Sequence, residues 1–285
     1  MSALRTQNAI MRDGWRLLLS GSGETADSEF RRQLLDSAIG ASAGTLQRRV
    51  RRSRAAETWA ARIGGPNGPI AYFKLLDPVR GLRSLKRRLH AEGAYHVAAI
   101  SEALRRDGFD VPEVMLIGSE FRGGREIIVT RKVEGVMPSR YLRERRGGIA
   151  GKRMILRALG AELSRLHRAG YLHGDLTPYN LLITSETPPR FAFIDHERTR
   201  KTMHSRFERM RLRNLVQLGH LQLPNLTKTD RMRVWHGYEE GINPERRRAA
   251  MRRVAAMIRA RITRDRDRTE RGAAVMARRG EAEGA

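Results

Sequence analysis

The chain has 285 residues, enough for one large or bilobal domain with a well-buried core. With 56 Lys and Arg against 31 Asp and Glu its net charge is +25, most of it arginine, so a polyanionic partner is expected: nucleic acid, an anionic membrane face or a phosphorylated glycolipid. Cysteine is absent, which excludes disulfides and thiolate-held metals, and no apolar run approaches the roughly 18 residues that cross a bilayer.

The first twenty residues carry Arg5, Arg12 and Arg16, and Asp13-Gly14 interrupts their apolar positions. They lack the continuous apolar core of a secretory signal, so a cytoplasmic protein is expected, one that can also rest on the inner face of the membrane. Residues 1–45 read as an N-terminal extension, with a strand at 14–19 and a short helix over Ser28–Ile39, and no chemistry is assigned to them. Three antiparallel strands are predicted next, Leu46–Arg51, Glu57–Ile63 and Ile70–Leu76; the last two are joined by the turn Gly64-Gly65-Pro66-Asn67-Gly68-Pro69. A long helix is predicted over Leu82–Asp107, with Leu85, Leu89, Glu92, His96, Ala99 and Ala103 on one stripe. Glu92 on an apolar stripe requires a cationic partner or water, because burying a lone carboxylate is costly.

Strands at Val114–Ile117 and Glu126–Thr130 follow, and Gly135-Val136-Met137-Pro138 reads as a linker. A second strong helix spans Lys152–His167, with Leu156, Leu159, Leu163 and Leu166 on its apolar face. A hairpin over 181–194 and helices at 206–221, 228–241 and 244–268 complete the pattern. The last helix carries Met251, Val254, Ala255, Ile258 and Ile262 on one face and dense arginine elsewhere. It reads either as a solvated face packed on the larger lobe or as a basic surface lying on anionic lipid. Nucleic acid would use the same charge, but no zinc-finger, RNP or helix-turn-helix signature accompanies it.

The most informative stretch is His173-Gly174-Asp175-Leu176-Thr177-Pro178-Tyr179-Asn180-Leu181-Leu182, followed by Phe193-Ile194-Asp195. An acid and an amide five residues apart on a loop, then a second acid after an apolar run, can orient a hydroxyl and hold Mg²⁺ against nucleotide phosphates. Protein kinases space an Asp, an Asn and a metal-binding Asp in this way.

The order of elements and the runs Leu166-His167, Tyr171–Asp175, Asn180 and Phe193–Arg198 resemble the lipopolysaccharide core kinases (the Kdo/WaaP family), and Arg211–Leu218 is similar to the segment that follows their metal-binding Asp. The resemblance covers roughly residues 46 to 240. It implies an α+β, bilobal protein-kinase-like fold: a small antiparallel β-sheet lobe with one helix, and a larger, mainly helical lobe. On that reading residues 1–45 are the extension, 46–134 the nucleotide-binding lobe, 135–243 the catalytic lobe, and 244–285 a basic C-terminal helix and tail.

The resemblance further implies that ATP and Mg²⁺ are the cofactors. Asp175 would take or orient the proton of the acceptor hydroxyl, and Asn180 and Asp195 would ligate Mg²⁺. Lys74 would contact the α- and β-phosphates, and Glu92 would pair with it. The first strand turn, Arg51–Glu57, has no glycine, so Ser53, backbone amides or the arginines would cover the phosphates instead. Gly174 stands where eukaryotic protein kinases place Arg, and Thr177 where many place Lys. The implied acceptor is a sugar hydroxyl, Kdo or heptose of the lipopolysaccharide inner core, on an anionic glycolipid. The other readings are a kinase of another small molecule or of protein Ser/Thr, and a catalytically silent kinase fold that binds anionic lipid or nucleic acid.

Overall fold

The structure, a computed structural model, describes residues 9–20, 22–46, 48–52, 56–78, 93–202, 207–219, 223, 225–238 and 244–282. The chain forms two compact units, one of residues 1–135 with 192–200, the other of 136–191 with 201–285. It is a mixed α and β protein built around a large antiparallel sheet.

In the first unit β1 (Ile10–Arg12) and β2 (Trp15–Leu19) form a hairpin, followed by the short helix α1 (Ser22–Thr25) and by α2 (Ser28–Ala43). Asp27 starts α2 by accepting the Phe30 amide at 2.8 Å, and Gly44 ends it at φ 74°, a left-handed conformation that glycine adopts without a Cβ penalty. Strands β3 (Arg49–Arg52), β4 (Ala56–Arg62) and β5 (Ile70–Leu76) come next, then α3 (Ala94–Arg106), β6 (Val114–Glu120) and β7 (Glu126–Arg131). The seven strands lie in the order β1-β2-β6-β7-β5-β4-β3.

Alternation along β5 sorts its side chains between the two faces of the sheet. Phe73 and Leu75 join a core with Trp15, Leu34, Leu35 and Ala38, so α2 covers that face. Leu76 lies on the other face, in a core with Ala94, Val97, Ala98 and Ile128 from α3 and the sheet. Lys74 shares the parity of Leu76 and pairs in register with Thr58 on β4 and Ile128 on β7. A lysine on a central strand, between an apolar neighbour and a helix-covered face, needs a carboxylate partner to stay charged there.

Two expectations change. Residues 10–43 do not stand apart as an extension, since β1 and β2 extend the sheet beyond β6 and α2 covers one of its faces. The helix is described from Ala94, so the Leu85 and Leu89 part of its predicted stripe lies outside the described residues. Its buried face runs through Ala94, Val97, Ala98, Ser101 and Leu104, one position round from His96, Ala99 and Ala103, which are half-buried. Both rows satisfy three-and-four spacing, and the longer Val97 and Leu104 side chains take the core.

The second unit is mainly helical: α4 (Pro138–Arg143), α5 (Gly148–Arg168), the short strand β8 (Tyr171–Leu172), the hairpin strands β9 (Leu181–Glu186) and β10 (Pro189–Phe193, whose last two residues fall in the first unit), α6 (Phe207–Gly219), α7 (Lys228–Tyr238) and α8 (Pro244–Ala282). Leu156, Leu159, Leu163 and Leu166 of α5 are all buried, as their spacing predicts. Helices α5 and α7 approach so closely that a Cβ on Gly160 would strike the Val234 carbonyl oxygen, and one on Gly237 would strike that of Arg157. Beside this contact the buried Asp230 takes Lys152 at 2.8 Å and Arg233 at 2.6 Å, so its charge is paired from both helices. Burial opposes ionisation of Asp230, but Lys152 and the Thr227 amide and hydroxyl outweigh it and hold its carboxyl at about 2.

Candidate active site

The loop that carries Asp175 begins where α5 ends. Gly170 (φ 84°) turns the chain into β8, and Gly174 (φ 75°) makes the next sharp bend, a conformation that strains any residue with a Cβ. Leu176 is fully buried and anchors the loop, and Pro178 opens a 3-10 turn over Pro178–Asn180, where its missing N–H costs nothing. The turn is closed by its own groups. The Thr177 amide donates to the Asp175 carbonyl at 2.9 Å and the Asn180 amide to the Thr177 carbonyl at 3.0 Å. The Asn180 side chain donates from Nδ2 to the Asp175 carbonyl at 2.9 Å and to Asp175 Oδ2 at 3.3 Å. Asn180 therefore spends its NH₂ group inside the loop, and Oδ1 is the oxygen it has for a cation.

Helix α6 braces the loop from behind. Asn214 Oδ1 accepts the His173 backbone N–H at 3.0 Å. Gln217 Nε2 donates to the Gly174 carbonyl at 2.9 Å, while its Oε1 accepts the Leu176 N–H at 3.4 Å and Asn214 Nδ2 at 3.1 Å. The chain of bonds continues into α5 and α7. His167 Nε2 lies 3.3 Å from Asn214 Oδ1, and its Nδ1 lies 2.7 Å from the Tyr238 hydroxyl, which also accepts from Arg211 at 2.7 Å. Burial pushes His167 down to about 4, against the pull of Asn214, so the ring is neutral near pH 7. A neutral imidazole has one donor and one acceptor. Asn214 Oδ1 can only accept, which assigns the proton to Nε2 and leaves Nδ1 to accept from Tyr238. His167 is thus a buried link in the bracing.

In the first unit Lys74 Nζ sits 2.9 Å from Asp195 Oδ1 and 2.5 Å from Glu197 Oε1. Burial alone would lower the lysine, but Asp195 and Glu197 more than offset it, so its pKa is raised and the ammonium is retained. Asp195 adopts φ 67°, ψ 64°, a left-handed backbone that is usually glycine's preserve. It is fixed there by the buried His196, whose Nε2 contacts the Phe193 carbonyl at 2.8 Å and whose Nδ1 contacts Thr199 Oγ1 at 3.1 Å. The Thr199 carbonyl is in turn held by His96 Nε2 of α3 at 2.7 Å.

Within the second unit the structure brings Asp175 and Asn180 together; within the first it brings Lys74 and Asp195 together. Ser53 and Glu92 lie outside the described residues. Sequence reasoning missed Glu197 as a carboxylate at Lys74, and it missed Asn214 and Gln217 as supports of the loop. Acids at 195 and 197 in one short turn were the available signal for the first. For the amides there was only the segment Arg211–Leu218, singled out by resemblance with no role attached.

An acid held by an amide of its own loop in one unit, and a charged lysine against two carboxylates in the other, are residue types suited to phosphate and hydroxyl groups, and the family match makes the protein a kinase. The chain belongs to the lipopolysaccharide kinase (Kdo/WaaP) family, whose model matches residues 82–238, just over half of the chain. The matched span includes Asp175, Asn180, Asp195, Asn214 and Gln217; Lys74 lies upstream of it. No curated protein matches the chain.

Proposed function

We propose that this kinase transfers the γ-phosphoryl group of ATP, in the presence of Mg²⁺, to a sugar hydroxyl, Kdo or heptose of the lipopolysaccharide inner core, on a bilobal protein-kinase-like fold. The observation that carries the reading is the pair of hydrogen bonds from Asn180 Nδ2 to Asp175, in a loop that Asn214 and Gln217 brace from behind. They aim one carboxylate from a rigid base, which is what aligning a hydroxyl requires.

In this reading Asp175 accepts the proton of the attacking hydroxyl. Lys74 contacts the α- and β-phosphates with an ammonium that its carboxylates keep charged. Asn180 Oδ1 and the Asp195 carboxylate suit Mg²⁺, which takes one or two carboxylates beside phosphate oxygens and waters and so needs no protein cage. When bound, the metal neutralises charge on the phosphates and lowers the barrier to transfer.

The acceptor's anionic character fits the arginine surplus, and the same surplus supports a peripheral place on the inner face of the cytoplasmic membrane. Helix α8 carries thirteen arginines against five acids. Val254 is buried, Ile258 packs toward Gly219 of α6, and Arg248, Arg252, Arg253 and Arg259 are exposed. Each basic residue close to an anionic surface contributes about 1 kcal/mol.

The test is phosphate transfer from Mg-ATP to deacylated core oligosaccharide, with a protein substrate and a no-acceptor reaction alongside. Transfer to the sugar, abolished by Asp175→Ala, is expected; sugar transfer that survives Asp175→Ala would sink the role of Asp175, and transfer to protein alone would sink the acceptor. For the membrane, removal of residues 244–285 is expected to weaken sedimentation with anionic vesicles at moderate salt, and unaltered sedimentation would overturn that part.

A further inference from the structure

Tyr179 is 54% exposed, while Leu176, Pro178, Asn180 and Leu181 around it are buried. Isolated exposed apolar residues are common and carry no message by themselves. What distinguishes Tyr179 is its support. It lies between Asp175 and Asn180 in the 3-10 turn, whose closing bonds from Thr177 and Asn180 fix the backbone on both sides of it. A tyrosine offers a large, amphipathic contact surface with only two side-chain torsions to freeze, so it binds at low entropic cost.

We propose that Tyr179 forms the floor of the acceptor subsite, with its ring stacked on the apolar C–H face of a pyranose and its hydroxyl hydrogen-bonding to the sugar's edge. The inference rests on the sugar-kinase reading and names the surface that recognises the sugar. Asp175 and Tyr179 share one hydrogen-bonded turn, so they move as one body. A sugar seated on the ring is held at a fixed register to the carboxylate, and that register removes part of the orientational cost of transfer. A stacked ring discriminates little between pyranoses, so selectivity for one hydroxyl comes from the alignment with Asp175.

The test separates acceptor from nucleotide. Deacylated core oligosaccharide is the varied substrate, with Tyr179→Ala, Tyr179→Phe and wild type compared. Tyr179→Ala is expected to raise the acceptor KM about tenfold, equivalent to ~1.4 kcal/mol, while the ATP KM and the unfolding midpoint stay close to wild type. Tyr179→Phe keeps the ring and is expected to restore most of the acceptor KM. In parallel, calorimetric titration of the oligosaccharide in the presence of a non-hydrolysable ATP analogue is expected to show the same loss of affinity in Tyr179→Ala. Wild-type transfer to the sugar with an unshifted KM in Tyr179→Ala overturns the subsite and leaves the kinase reading intact. Sugar binding that depends on Tyr179 with no transfer in the wild type supports the subsite and overturns the sugar-kinase reading. Absence of both binding and transfer in the wild type overturns both.

Discussion

Asn214 Oδ1 accepts the His173 backbone N–H at 3.0 Å and is also the acceptor facing His167 Nε2 at 3.3 Å. One buried amide oxygen therefore ties the start of the Asp175 loop to the end of α5. Asn214→Leu leaves both donors buried without an acceptor, at about 1–3 kcal/mol for each such group. The expected result is a fall in unfolding free energy of roughly 2 kcal/mol and a drop in kcat of about tenfold or more, with the ATP KM little altered. Asn214→Asp keeps an acceptor oxygen and should recover much of the stability. A kcat indistinguishable from wild type in a folded Asn214→Leu protein would show that the brace does not govern the loop.

Gln217 tests the other half of the brace. Its side chain both donates into the loop, to the Gly174 carbonyl, and accepts from it, at the Leu176 amide. Gln217→Glu keeps the acceptor but sets a carboxylate against the Gly174 carbonyl, whereas Gln217→Met keeps the length and loses both bonds. Both are expected to reduce kcat, by about tenfold, with the loss of Nε2 as the shared defect. Steady-state rates at saturating ATP, read beside thermal unfolding, separate that effect from simple destabilisation.

Much of this architecture is legible in the sequence where its cause is local. The α5 stripe is visible because Leu156, Leu159, Leu163 and Leu166 repeat at helical spacing and all four are buried. The β4–β5 hairpin is visible because Gly64 and Gly65, both at positive φ, mark its turn. The Asp175–Asn180 link is readable because two residues only five positions apart meet within one turn. What depends on distant pairing is not legible. Nothing in residues 10–19 announces that β2 will lie against β6, about a hundred positions away in the chain. Asn214 and Gln217 look like ordinary polar helix residues until the fold sets the loop against them. Glu197 is likewise anonymous until the turn held by His196 delivers it to Lys74.

The cluster at Lys74 makes a charge prediction. Removing the ammonium by Lys74→Met leaves Asp195 and Glu197 without the cation they share, so their like charges oppose each other. A rise in ATP KM and a loss of kcat of about a hundredfold or more are expected. Glu197→Gln keeps Lys74 with Asp195 and should cost much less, near tenfold. If Glu197→Gln is as damaging as Lys74→Met, Glu197 does more than balance the lysine. The measurement is steady-state kinetics with ATP varied at fixed acceptor.

Stability should depend on pH through two buried groups in separate windows. His167 has a folded pKa of about 4, below its ordinary value of 6.5. Between these values the unfolded chain binds the proton and the folded chain does not, so stability is full above pH 6.5 and declines as pH falls toward 4, by at most about 3 kcal/mol. Asp230, held at about 2 against an ordinary 3.8, adds stability that is full above 3.8 and lost as pH falls through 2. Denaturant unfolding at pH 7 and pH 5 is expected to show a clear loss in wild type and a smaller one in His167→Gln. Equal losses in the two proteins would remove His167 as the cause.

The close crossing of α5 and α7 makes the last prediction a steric one. Gly160 and Gly237 each lie against a backbone carbonyl of the opposite helix, at Val234 and Arg157, so neither neighbour can yield by rotating a side chain. Both are helical positions, where alanine is intrinsically favoured over glycine by about 1 kcal/mol. On propensity alone Gly160→Ala should stabilise. Packing acts in the opposite direction: the added methyl must push the helices apart, which disturbs the pairing of buried Asp230 with Lys152 and costs about 1–3 kcal/mol or more. Gly160→Ala is therefore expected to lower the unfolding midpoint, and Gly160→Ala combined with Gly237→Ala to fall short of additivity, since one separation relieves both clashes. The same separation would shift Tyr238 from His167, so the thermal loss should be accompanied by reduced kcat in the folded fraction. A Gly160→Ala protein as stable as wild type would mean that the two helices are free to part.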